Sequence, residues 1–153
     1  MTEQFDKTAA LTLLNQILEA ELAGVVRYTH YSLMVFGHSR IPIVSWLRSQ
    51  ATEGLVHAHE AGELITHFGE HPSLKIGQLL ETQQHEINDI LLESLDAEKR
   101  GLELYYQLLA LVKDKSVLLE EFARKMIAAE EMHVGEVNKM LRKPGEVHAF
   151  SPA

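Results

Sequence analysis

Along most of the chain apolar residues recur at intervals of three to five, the spacing of one buried face of an α-helix rather than the alternation of a strand. Between Thr8 and Phe36 the series is Leu11, Leu14, Leu18, Leu22, Val25, Tyr28 and Leu33, which predicts a first helix, A. A second series, Trp46, Leu47, Leu55, Leu64, Ile65 and Phe68, begins after Pro42 and runs to Gly69, giving helix B. Proline suits the first turn of a helix because the N–H it lacks would have no partner there. Residues 69–77 hold two glycines and Pro72, and read as a connection of roughly ten residues. From about Leu79 a third stripe, helix C, passes through Ile87, Leu91, Leu95, Leu102, Tyr105, Leu109 and Val112. Ser116 is placed to cap helix D, whose apolar face is Leu119, Phe122, Met126, Ile127, Val134, Val137 and Leu141 and which ends before Pro144 and Gly145.

Helices of about 25 to 30 residues rise ~1.5 Å per residue and bury such stripes only against one another. The expected fold is therefore all-α: an antiparallel four-helix bundle, one domain over residues 1–153 with a short tail from about 143. The A–B and C–D links are short and make hairpins, whereas the B–C link is long enough to cross the bundle.

Composition narrows the function. The 153 residues are the length of one compact domain, and 22 acidic against 14 basic residues leave a net charge of −8. That excess argues against nucleic acid as the main ligand, since a duplex binder needs a basic face. No cysteine is present, which excludes disulfides, thiolate metal sites, iron–sulfur clusters and cysteine nucleophiles. Residues 1–6 do not resemble a signal peptide, and no uninterrupted apolar stretch of about 18 residues occurs. A soluble cytoplasmic protein without a membrane partner is expected.

The informative residues interrupt the stripes. Leu14, Glu21 and Tyr28 are each seven apart, as are Leu91, Glu98 and Tyr105, so Glu21 and Glu98 fall on faces that should be buried. A lone carboxylate in a core costs several kcal/mol unless it is protonated, paired or bound to a cation. Glu130 and His133 follow Met126 and Ile127 on the inner face of helix D, and Glu53 and His57 share a face of helix B with Trp46 and Leu64. Single pairs mean little here: chance gives about one Glu-x-x-His, and Glu-x-x-x-His occurs three times, at Glu53/His57, Glu63/His67 and Glu81/His85. The arrangement of pairs means more. Glu21 to Glu53 and Glu98 to Glu130 are both 32 residues, and each lone Glu has a Tyr seven residues later. The two halves carry one constellation, as an internal repeat does.

Four carboxylates and two imidazoles suit iron or manganese better than copper(I) or a structural zinc site. The two lone Glu could bridge a metal pair about 3.5–4 Å apart, with each Glu/His pair completing one side. Tyr28 and Tyr105 either hydrogen-bond these carboxylates or simply pack. Against the metal reading stands one in which Glu21 and Glu98 pair with Arg or Lys and the histidines are ordinary packed residues. His59, His67 and His71 read as a solvated polar face, and Trp46 as a core or interface anchor.

These residues resemble bacterioferritin and its relatives in the ferritin-like superfamily. The matching pieces are Glu21 to Tyr28, His57 to Ile65 with the following Gly69 and Pro72, Glu98 to Tyr105, and Ala129 to His133. The resemblance implies a ferritin-like bundle in which Glu21, His57, Glu98, Glu130 and His133 bind two Fe ions per chain. It further implies a ferroxidase that oxidises Fe(II) with O2 or H2O2 and stores or detoxifies the iron as a homo-oligomer. The family's second pair is Glu-x-x-His; here Gly54 stands at its Glu position and Glu53 one residue early, leaving Glu53, with Glu60 in reserve, to complete the site. The methionine that binds haem in bacterioferritins would fall at Leu55, and helix B contains no Met, so no haem is expected. The alternatives are a non-storage di-iron oxidoreductase, such as a rubrerythrin-like peroxidase in a small oligomer, a DNA-protecting mini-ferritin, and a structural bundle with a decayed site.

Overall fold

A computed structural model describes residues 4–148 and contains four helices: α1, Lys7–Met34; α2, Arg40–His67; α3, Ile87–Val112; and α4, Val117–Leu141. No strand is present among the described residues, as the periodicity predicts. The end of the expected tail, 149–153, lies outside the described residues.

Local chemistry sets the ends. The Asp6 carboxylate accepts the Ala9 N–H at 3.0 Å to open α1, and Ser116 Oγ accepts the Leu119 N–H at 3.3 Å to open α4. Pro42 falls in the first turn of α2. That helix closes with Gly69 at φ +82°, where the Gly69 and Glu70 N–H groups reach back to the Thr66 and Ile65 carbonyls. The largest buried cluster, which includes Leu14, Ile17, Ala61, Tyr105, Leu108, Leu119 and Met126, draws on all four helices, and smaller ones lie around Tyr31 and Leu47 and around Leu91 and Val137. By length and composition alone α1 could cross a membrane. Within the bundle it is the helix that touches both α2 and α3, and Leu11, Leu14, Leu18 and Tyr28 of its stripe are buried, whereas Leu33 at its end is exposed.

The short links 35–39 and 113–116 make α1/α2 and α3/α4 antiparallel hairpins. Across the hairpins Tyr28 meets Glu98 while Tyr105 meets Glu21, so α1 and α3 are also antiparallel. It follows that α2 and α3 run parallel, and the chain between them must return the whole length of the bundle. This corrects the expectation of a ten-residue link and a third helix from Leu79. A 28-residue α2 is about 42 Å long, whereas ten extended residues reach about 35 Å at most. Residues 68–86 stay non-helical to cover the distance, and Leu79 is exposed.

The crossover is laid along α1 by a ladder of polar contacts. Ser73 N–H donates to Asn15 Oδ1 at 2.7 Å, Gly77 N–H to the Glu19 carbonyl at 2.8 Å, and Arg27 to the Gln78 carbonyl at 3.3 Å. A Cβ at Gly77 would lie 3.3 Å from Ala20 Cα and from the Glu19 oxygen, a tighter approach than most side chains tolerate. Near its end, Thr82 donates both its N–H, at 3.0 Å, and its hydroxyl, at 2.6 Å, to Glu93 Oε2. Glu93 Oε1 accepts the Tyr31 hydroxyl at 2.6 Å. Glu93, buried on α3, thus ties crossover and α1 together. Replacing Glu93 with Ala should lower unfolding stability by about 1–3 kcal/mol. It should also accelerate hydrogen exchange at the Thr82 amide while the far-UV spectrum stays helical; unchanged exchange would show that the anchor lies elsewhere.

Candidate metal centre

Midway along the bundle a cavity of about 550 Å³ is lined by all six residues singled out in the sequence: Glu21, Glu53, His57, Glu98, Glu130 and His133. Each helix contributes. His57 on α2 turns Nδ1 between Glu21 Oε2 at 3.6 Å and Glu130 Oε1 at 3.5 Å, and the donor atoms of these three residues all lie within 4.8 Å of one another. Two donors on one ion with bonds of about 2.1 Å sit ~3.3 Å apart, so the cluster has the spacing of a cation site. Glu130 is 7% exposed, and its Oε2 is buried with no hydrogen-bond partner. On the opposite side His133 Nε2 lies 3.7 Å from Glu98 Oε1.

Two buried tyrosines hold the carboxylates. The Tyr28 hydroxyl donates to Glu98 Oε1 at 2.8 Å, and also lies 2.6 Å from Ser94 Oγ and 3.1 Å from His133 Nε2. Tyr105 donates to Glu21 Oε1 at 2.7 Å. The pairing is reciprocal: each Tyr sits seven residues after the Glu of its own half and binds the Glu of the other. The indole of Trp46 stacks on the His133 ring, 6.0 Å between centroids and 7° from parallel. Neither Glu21 nor Glu98 forms an ion pair with Arg or Lys among the described residues, which removes the simple-pairing account of these carboxylates.

Burial governs the protonation of the cluster. Desolvation, then the neighbouring Glu130 charge, pushes the Glu98 carboxyl up to about 8. Desolvation also raises Glu21, against the pull of His57. For His57, burial alone would favour the neutral ring, but hydrogen bonds and charge from Glu130 and Glu21 prevail and raise it to about 10. Tyr28 and Tyr105 are driven well above the usual phenol range, by burial first and then by the adjacent carboxylates, and act as donors throughout.

A family model for the ferritin-like domain matches residues 11–145. The chain belongs to the ferritin-like family. Among solved structures it is similar to a ferritin-like diiron-carboxylate protein of Bacillus anthracis, at 21% identity and a TM-score of 0.81, covering 93% of this chain and 100% of that one. The bacterioferritin of Rhodobacter capsulatus, solved with a metal-free dinuclear site and haem iron, matches at 21% identity and TM-score 0.75 over 90% of this chain and 86% of that one. A dodecameric thioferritin of Bacteroides fragilis matches at 19% and 0.79 over 90% and 87%. At these identities the likeness establishes the fold. Comparison with curated proteins by sequence gave no match.

Within this ferritin-like bundle the six predicted residues are not equivalent. Glu53 approaches only the outer ring nitrogen of His57, at 3.7 Å, and its side chain is 50% exposed against 12% for His57. Since α2 is an uninterrupted α-helix, the early position of Glu53 is met by displacement of its carboxylate toward solvent, with no bulge. Gly54 leaves open the space beside Glu21, where an added Cβ would lie 3.8 Å from Glu21 Oε2. Glu60 is turned away, to Lys125 Nζ at 3.1 Å. Ser94 was not anticipated, although its place one turn before Glu98, on a buried face, was a usable signal. His59, His67 and His71 are exposed, as expected of a solvated face.

The raised groups fix the sign of a pH effect. Glu98 titrates near 4.5 when exposed and about 8 here, and His57 near 6.5 and about 10, so the folded chain holds protons that the unfolded chain releases. Their stabilisation is complete below the lower value of each pair and is lost as pH rises through the upper one. Glu81 and Glu120, whose carboxyls are lowered, act in the opposite sense, but only below 4.5. In chelator-treated protein the melting temperature should therefore fall between about pH 5 and pH 10. Scanning calorimetry showing a rise across that window would contradict the assignment.

Proposed function

We propose that this chain oxidises Fe(II) with O2 or H2O2 at a two-iron centre, and stores or detoxifies the ferric product as a cytoplasmic homo-oligomer of bacterioferritin type without haem. The observation that carries the reading is the buried, unpartnered Glu130 oxygen beside Glu21 and His57, in a cavity that also holds Glu98 and His133. A core that leaves a carboxylate oxygen without a donor supports a cation as the missing partner. The donor set, carboxylates with two imidazoles, fits iron or manganese.

Glu21, His57, Glu98, Glu130 and His133 are the proposed ligands, with Glu53 on the solvent side. Bound Fe(II) supplies the electrons, two ions together giving the two that take hydrogen peroxide to water or dioxygen to peroxide. The protein's own part is to bind, orient and exchange protons. Glu98 and His57 give up their protons when a cation replaces them, which keeps the net charge of the buried cluster low. Tyr28 and Tyr105 orient Glu98 and Glu21 by donating to one oxygen of each, and Trp46 stacks on the His133 ring. Assembly is supported by exposed apolar residues at the α1–α2 turn, Leu33, Phe36 and Ile41, and by the dodecamer of the Bacteroides fragilis relative in fold. Leu55, at the position of the haem-binding methionine, offers no sulfur ligand.

Glu98→Ala should slow Fe(II) oxidation by about 100-fold or more while the helical content stays intact, read by stopped-flow absorbance and circular dichroism. Oxidation at the parent rate would remove Glu98 from the centre. With Fe(II) added in air in large excess, ferric iron should co-elute with a large assembly on size exclusion. Uptake that stops near two ions per chain in a small oligomer would instead favour the non-storage di-iron oxidoreductase.

A further inference from the structure

A second group of ligand-type side chains lies outside this cavity, where the crossover meets α1. His30 on α1 and Glu81 and His85 on the crossover bring their donor atoms within 4.8 Å of one another. His30 Nε2 is 2.9 Å from Glu81 Oε2, and His85 Nε2 is 3.6 Å from Glu81 Oε1, so the carboxylate stands between two imidazoles, one on each oxygen. The side chains are 43%, 25% and 20% exposed for His30, Glu81 and His85, reachable from solvent without being free in it.

Two features set the cluster apart from an ordinary His–Glu contact. Both Nε2 atoms are buried, and their contacts with the Glu81 oxygens, at 2.9 and 3.6 Å, lack hydrogen-bond geometry. Three ligand atoms within 4.8 Å of one another can close around a single ion, for which ~3.3 Å between donors is the tetrahedral spacing. The backbone around Glu81 is also unusual. Leu80 and Gln83, on either side of Glu81 and Thr82, take φ values of +58° and +63°, a conformation unfavourable for non-glycine residues. Thr82, between them, is anchored to Glu93 by its N–H and its hydroxyl. The Gln83 N–H, and then the two imidazoles, hold the Glu81 carboxyl below the usual range, so it is ionised at neutral pH.

We propose that His30, Glu81 and His85 form a second, mononuclear site for a divalent first-row transition ion, with a remaining coordination position open to water. Two imidazoles and one carboxylate are a donor set that takes Zn(II), Co(II) or Fe(II) in preference to Mg(II) or Ca(II). An ion here links crossover to α1 just before the chain enters α3, and locks the one long segment among the described residues that has no regular structure. The site stands independently of the central cavity, with which it shares no residue.

Anaerobic Co(II) titration followed by visible absorption tests the assignment, because tetrahedral and five-coordinate Co(II) absorb far more strongly than the hydrated ion. In a Glu21→Ala, Glu130→Ala background, one Co(II) per chain should still bind with such a spectrum. Adding His85→Ala, or His30→Ala, should abolish it. Should that background fail to fold, the same histidine changes in the parent chain should lower the Co(II) stoichiometry by one, with helical content checked by circular dichroism. Zn(II) should also slow hydrogen exchange over residues 79–86 in the parent and leave it unaltered in His85→Ala. Full Co(II) stoichiometry and spectrum in both histidine variants, or no Co(II) bound in the folded background, would overturn the site.

Discussion

Ionisable groups buried at the middle of an apolar bundle impose the constraint around which this molecule is arranged. Carboxylates cannot be left charged and alone among leucines, because desolvation costs more than any packing nearby returns. The fold meets the demand twice over. Protons are retained on Glu98 and His57, and two buried phenols donate to Glu98 and Glu21. The second device works only when α1 and α3 sit in one antiparallel register, since Tyr28 must reach Glu98 while Tyr105 reaches Glu21. A slip of one helical turn would strand all four groups at once. The polar centre therefore specifies the alignment of a bundle whose leucine-rich surfaces would tolerate several.

The crossover follows from the same register. With α1 antiparallel to both α2 and α3, a long connection is unavoidable, and the backbone polar groups it carries need partners. Asn15, the Glu19 carbonyl and Arg27 on α1, and Glu93 on α3, supply or accept them. Arg27, on a buried face, is thereby given work outside the cavity even though it lines it.

The helices were legible because burial on one face leaves a periodic record, and Leu14, Leu91, Leu119 and Met126 are buried where the stripes put them. The convergence of six side chains on one cavity was legible from the repeated 32-residue offset, since a repeat carries information that single Glu/His pairs lack. Three things were not. The start of α3 was read eight residues early because Leu79 fits the stripe, and only the distance to be spanned, a property of the assembled bundle, excludes it. The Tyr31–Glu93–Thr82 anchor joins residues from three segments with no shared spacing. The crossing of the tyrosines, each to the other half's carboxylate, depends on how the hairpins dock, which periodicity within one helix does not encode.

That crossing bears on how the chain folds. Each hairpin is built from contacts local in the sequence, but Glu21, Glu53 and His57 belong to the first while Glu98, Glu130 and His133 belong to the second. The hydrogen bonds that join them span 70 and 84 residues, so loop closure delays them until both hairpins exist. Before docking, each half holds its acids in water at ordinary protonation; afterwards they share one dry compartment. The cavity is thus a coincidence detector for folding, complete only in molecules whose two halves have met in register.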